Sequence, residues 1–165
     1  MKLRTGDPWM PAPQYSPTLR GLTLNLLVRS IERALPFHRE VLAAEVVYSD
    51  PDFAALRWGP PEGPDSGPAA GRPSPGEMPV EWSLHADHTY DKHSLHPTLT
   101  AGVSRGVGAE LRLHGRNPDE AEAAARRLGF TVLAPATDKP HGLREVYLLD
   151  ADGYLWVPDV PMGAA

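Results

Sequence analysis

The stretch LTLNLLVRS at 22–30 and the stretch AELRLHGRN at 109–117 decide the fold, because they read as one unit written twice. The first runs into IERALPFHREVLA and then AEVVYSD; the second runs into PDEAEAAARRLG and then FTVLA. Each copy is an alternating strand, a capping residue, an amphipathic helix and a further strand. Laying Ser30 on Asn117 sets the copies 87 residues apart. A tandem of such units predicts two modules with a cavity between them.

Alternation divides the faces of both first strands. Leu22, Leu24, Leu26 and Val28 share one side, with Thr23, Asn25 and Leu27 on the other. In the second copy Leu111 and Leu113 oppose Glu110, Arg112 and His114. The apolar sides are expected to pack on helices. Ser30 is a good N-cap with Glu32 in the first turn, and Pro36 falls where its missing N–H bends or delays the helix. Asn117, Pro118 and Gly129 mark the start and stop of the second helix. Further strands are expected at 45–49, 53–58, 80–85, 130–134, 144–149 and 154–158, the last two joined by a tight turn at DADG, 150–153.

Composition narrows the function classes. At 165 residues the chain suits one domain, and a net charge of −5 gives no global support for binding nucleic acid or an anionic membrane. Without cysteine there is no disulfide, thiolate metal site or cysteine nucleophile. The N-terminal MKLRTGDPWMPAPQYSPTL lacks the apolar run of a signal peptide. No stretch approaches the roughly 18 apolar residues of a spanning helix, so a cytoplasmic location is expected. Residues 59–79 hold seven prolines and five glycines, which makes them a loop between two strands. Residues 1–19 read as an extended arm and 20–165 as one domain, with modules at 20–100 and 105–160.

The order of these features resembles the vicinal oxygen chelate superfamily, which includes glyoxalase I, bleomycin-resistance proteins and extradiol dioxygenases. The resemblance is carried by Ser-Ile-Glu-Arg-Ala-Leu-Pro-Phe-His at 30–38, with His38 where Tyr is usual, by HGLREVYLLDADGYLWVPDV at 141–160, and by the duplication itself. It implies an α+β fold: two βαβββ modules forming a curved mixed sheet around a central cavity, helices on the outer face, and a homodimer. It also implies metal ligands on the concave face, one on the first strand of a module and a carboxylate on the last. The matching first-strand positions here are Thr23 and Glu110. The last-strand position, seven residues after Asp150, is Val157, and the first module offers Glu81, Ser83 or His85. Val157 donates nothing and Thr23 is a poor ligand, so the usual His/Glu set is absent. No cofactor is expected. A divalent metal, if held, would draw on His85, His88 or Glu110.

Four of the seven histidines fall between His85 and His96, a tract that suits either metal binding or the cavity rim and linker. Glu110, Arg112 and His114 form a row: the guanidinium can fork onto an oxygen-rich ligand, and a partly buried Glu110 can act as a base. Thr23, Asn25, Glu81, Ser83, His85, Glu110, Arg112, His114 and Arg144 are the expected ligand-binding residues. The expected function is binding of a small organic molecule without the usual metal. The alternatives are a metal-dependent lyase, isomerase or dioxygenase, or metal-free proton transfer through Glu110. A third is a module that engages another protein through the 59–79 loop.

Overall fold

Apolar residues alternate along each strand, so each strand has one side to bury, and that side fixes the architecture. In the computed structural model, which describes residues 3–4, 17, 22–59 and 80–163, nine strands form two sheets. The first sheet has the order β1-β3-β4-β5-β2. Its strands are β1 (Leu3–Arg4), β2 (Leu24–Val28), β3 (Glu45–Ser49), β4 (Phe53–Trp58) and β5 (Val80–Ala86). The second has the order β6-β9-β8-β7, from β6 (Leu111–His114), β7 (Thr131–Asp138), β8 (Leu143–Leu149) and β9 (Leu155–Pro161). In both sheets the first strand of the module lies parallel to the last, β2 to β5 and β6 to β9, while the other pairs are antiparallel. The fold is α+β, and its curved sheets do not close. The arm's described strand, β1, pairs with the edge of β3. Residues 60–79 of the loop lie outside the described residues. No helix among the described residues is long and apolar enough to cross a membrane.

The register makes the duplication quantitative. Leu24 and Leu56 both lie opposite Trp82, as Leu111 and Leu148 lie opposite Trp156. These residues face the helices, and the two indoles meet at 5.4 Å. The resulting core is shared by both modules. It takes in Val28, Phe37, Leu84, Leu113, Ala125 and Val146, all under 5% exposed. Phe37 packs edge-on against Phe130 at 5.0 Å. Leu22, by contrast, precedes β2 and is 98% exposed, so the buried side of that strand is shorter than alternation alone suggests.

Both helices begin where their caps say. The Ser30 hydroxyl accepts from the Arg33 N–H at 3.4 Å at the start of α1 (Ile31–Pro36). Asn117 accepts from the Asp119 and Glu120 N–H groups at the start of α3 (Pro118–Leu128), and Gly129 ends it at φ 77°. The short α2 (His96–Thr100) lies in the linker between modules. The helices differ past Pro36. There α1 widens into a π-helical turn over Phe37–Val41, with the Leu42 N–H reaching the Phe37 carbonyl at 3.1 Å. A wider turn holds one extra residue. The left-handed residue that closes the first helix is accordingly Ala43, at φ 57°, thirteen residues after its cap, whereas Gly129 comes twelve after its own. Past this point the offset drops to 86, and β3 starts at Glu45 where β7 starts at Thr131.

Candidate functional site

With the core claiming one side of each sheet, the other side carries the polar residues, and the two modules use it differently. On the first sheet Asn25, Ser83 and His85 come together. Ser83 Oγ donates to Asn25 Oδ1 at 2.9 Å, and Asn25 Nδ2 donates to the Tyr90 hydroxyl at 2.9 Å. His85 stands edge-on between Phe53, at 4.8 Å, and Tyr90, at 5.5 Å, and burial lowers its pKa. Glu81 shares this face but is held by Arg57 at 2.9 Å. Thr23 is exposed just before β2. His88 meets Asp52 at 2.8 Å on the surface, and the His93 ring packs at a tilt against Tyr90, at 4.9 Å.

On the second sheet Arg112 and His114 do share a face, and they sit over two carboxylates, Glu145 and Asp159, each 1% exposed. Arg112 pairs with Glu145, lies 3.5 Å from Asp159 and reaches Glu110 at 3.4 Å. His114 Nδ1 is 2.7 Å from Asp159 Oδ1. The Tyr147 hydroxyl donates to Glu145 at 2.8 Å, Lys139 lies 3.8 Å from the same carboxylate and His141 3.5 Å. Burial pushes the Glu145 pKa up, but the Tyr147 and Arg112 hydrogen bonds outweigh it, and the net shift is downward. The bond to Glu145, aided by burial, raises the Tyr147 pKa, so the phenol stays a donor. Glu110 itself is about half exposed at the strand entry. Arg144 faces the other way: it clasps Asp119 of α3 at 2.6 Å and Asp138 at 2.8 Å, on the helix side of the sheet.

Neither Glu145 nor Asp159 stood among the sequence candidates. The signal that finds Glu145 is its neighbours: Val146 and Leu148 belong to the core, so Glu145, Tyr147 and Leu149 must face away from it. Asp159 has the parity of Val157, two residues beyond the position the family pattern indicates.

Toward the other end of this same face the polar row gives way to Leu149 and Leu155, paired across β8 and β9. Together with Leu133 and the linker 102–109 they line a cavity of about 450 Å³, with Arg29 at its rim. The linker is fixed by Arg105, which is 6% exposed; it donates to the Leu27 carbonyl at 2.6 Å and pairs with Asp87, and lies 3.5 Å from Asp152. Arg29 is tied to Asp152 at 3.1 Å. The sequence hint was the glycine-rich GVSRGVGA at 102–109, in which Gly106 lies too close to Tyr154 to carry a side chain.

A divalent ion needs several convergent donors. At the positions that would supply them, Val157 is fully buried and apolar, Glu81 belongs to Arg57 and Ser83 to Asn25. Among the described residues no three His, Asp or Glu side chains are grouped so as to hold a metal. Among the described residues, those at these positions do not make up the donor set that the resemblance implies.

No protein-family description matches the chain, and no curated protein matches it. Solved structures do match over most of its length. A glyoxalase-related enzyme from Fulvimarina pelagi is 18% identical, with a TM-score of 0.58 over 88% of this chain and 94% of that one. A glyoxalase/bleomycin resistance protein/dioxygenase from Nocardioides is 20% identical, with a TM-score of 0.55 over 92% and 91%. TioX from Micromonospora sp. ML1 is 17% identical, with a TM-score of 0.54 over 88% and 99%.

Proposed function

Starting from a chain that shares the fold of the glyoxalase/bleomycin-resistance/dioxygenase superfamily, we propose that it binds a small organic molecule, without a metal ion, in the trough of its second sheet. The observation that carries this reading is the change of character along one sheet face. A largely apolar cavity of about 450 Å³ lies over Leu149 and Leu155, and the same sheet face continues beyond it to Tyr147 and Arg112. Small-molecule sites commonly have such a size, about 300–1,000 Å³, and such a mix of apolar walls with a few polar groups. A flat or aliphatic body packs on the leucines. Its oxygen-bearing end meets the Arg112 guanidinium, while buried Glu145 and Asp159 hold that guanidinium in place. The donor set of the trough supports the metal-free reading, since Val157 lies where a carboxylate ligand would be needed.

A thermal-shift screen with planar aromatic acids and with 2-oxoaldehyde hemithioacetals tests the proposal. Stabilisation of the wild type by at least one compound, lost in Leu149→Arg, is the expected result. Equal stabilisation of both proteins, or none by any compound, rejects the trough. A stoichiometric, tightly held divalent ion found by elemental analysis of untagged protein rejects the metal-free reading.

A further inference from the structure

His114 and Asp159 form a pair with the parts of a general-base dyad. The two residues face each other across β6 and β9, with Nδ1 at 2.7 Å from Oδ1. Their exposures are opposite: the His114 side chain is 70% exposed, whereas that of Asp159 is 1%. A buried carboxylate acts as an acceptor, so it takes the Nδ1–H and fixes one tautomer. The lone pair is then on Nε2, which finds no hydrogen-bond partner among the described residues. Arg112, 3.5 Å from Asp159, already offsets the charge of the carboxylate, so the imidazole is not needed for that. The fold does not require the pair either. In the first module the same register positions hold Leu27 and His85, while the leucine–tryptophan pairs of the core recur in both copies.

We propose that His114 is a general base, with Asp159 as its positioning residue, for a ligand lying along the trough. The inference rests on the trough reading but not on any particular ligand. Asp159 comes four residue steps after Leu155 along β9, roughly 13 Å of strand. The substrate class is therefore an extended carbon acid: an apolar body over Leu149 and Leu155 and an acidic C–H beside a carbonyl at His114. His114 Nε2 takes the proton, the C–H electron pair moves through the carbonyl to give an enolate, and the imidazolium is stabilised by Asp159. Return of the same proton to another atom of the enolate completes an isomerisation that needs no co-reactant.

The test uses 5-nitrobenzisoxazole, whose ring opens when a base takes its C–H proton: the C≡N bond forms, the N–O bond breaks and the ring oxygen becomes a coloured phenolate on the same molecule. The full chain is expected to accelerate this opening, and His114→Ala to lose at least about tenfold of the protein-dependent rate. His114 lies on the surface, so that variant folds. Long-range 1H–15N spectra should show wild-type His114 protonated at Nδ1 and bare at Nε2, and a mixture of tautomers in Asp159→Asn. An unchanged rate in His114→Ala, or a wild-type ring protonated at Nε2 alone, overturns the proposal. If Asp159→Asn does not fold, the His114→Ala rate and the wild-type tautomer still decide. Aromatic ligands that still stabilise His114→Ala in the thermal-shift screen separate failure of the base from failure of the trough.

Discussion

The two modules match on the side that faces the helices and diverge on the side that does not. The core pairs Leu24–Trp82 and Leu111–Trp156 occupy the same register positions. Across the sheet from them, Asn25 corresponds to Arg112, Leu27 to His114, Ser83 to Val157, His85 to Asp159 and Phe53 to Glu145. One face therefore carries an amide, a hydroxyl and edge-on rings, with the Arg57–Glu81 ion pair part-exposed, while the other buries carboxylates under cations. Core positions are constrained by close packing, where even one methylene is felt; the other face is free to take up chemistry. The hairpin between the last two strands diverges as well. The second module closes it with a tight turn, in which Asp150 accepts from the N–H groups of Asp152, Gly153 and Tyr154. The first inserts the 59–79 loop there.

The largest expected effect tests whether the second face is truly buried. Glu145→Ala takes the buried acceptor from Arg112 and Tyr147 and leaves Asp159 and Glu110 to face the guanidinium, so the loss should approach, without exceeding, that of a broken buried charge pair, about 3–5 kcal/mol. Urea unfolding measures it. A loss under about 1 kcal/mol would mean that this face is as tolerant as a solvated surface and that the contrast with Phe53 is superficial.

His38 tests the shared core between the copies. It is fully buried beside Trp156 at 5.4 Å, and burial lowers its pKa from 6.5 to about 3. The unfolded chain takes up a proton near pH 6.5 and the folded one does not. This contribution is complete above pH 6.5 and falls away as the pH drops toward 3, at about 1.4 kcal/mol per unit. Between pH 6.5 and 5, above the carboxylate range, the wild type should lose about 2 kcal/mol from this source. His38→Leu should remove most of that slope, leaving His85, whose pKa burial also lowers. A variant with the wild-type slope would place the titration elsewhere.

The smallest effect concerns the extra residue in the first helix. Ala43 occupies, at φ 57°, the left-handed position that glycine fills in the second module. Left-handed backbone costs a non-glycine residue about 1–2 kcal/mol, so Ala43→Gly should raise stability by about 1 kcal/mol. A destabilised variant would show that the π-helical turn, not the glycine, meets the need of the copy.

The element order, both helix caps, the 150–153 turn and the strands at 45–49 and 53–58 were legible in the sequence, because alternation and capping chemistry act locally. The polar face of the second sheet was legible only in part. Arg112 and His114 follow from alternation along β6. In LREVYLL charged and apolar residues fall on both faces, and the burial of Val146 and Leu148, fixed by the register of Leu148 with Trp156, assigns Arg144 to the helix and Glu145 to the trough. Asp159 was hidden for a related reason, since its burial depends on β6 and β8 flanking it. Pro36 announced a disturbance in the first helix, but the local sequence does not say that the chain absorbs it by widening one turn.

The most direct test of the account is a two-dimensional 1H–15N titration with 2-naphthoate, which reports on both sheets at once. The account predicts saturable shifts concentrated at Arg112, Tyr147, Leu149 and Leu155, with Asn25, Ser83 and His85 unmoved. Shifts confined to Asn25, Ser83 and His85, or none on either sheet, would contradict it.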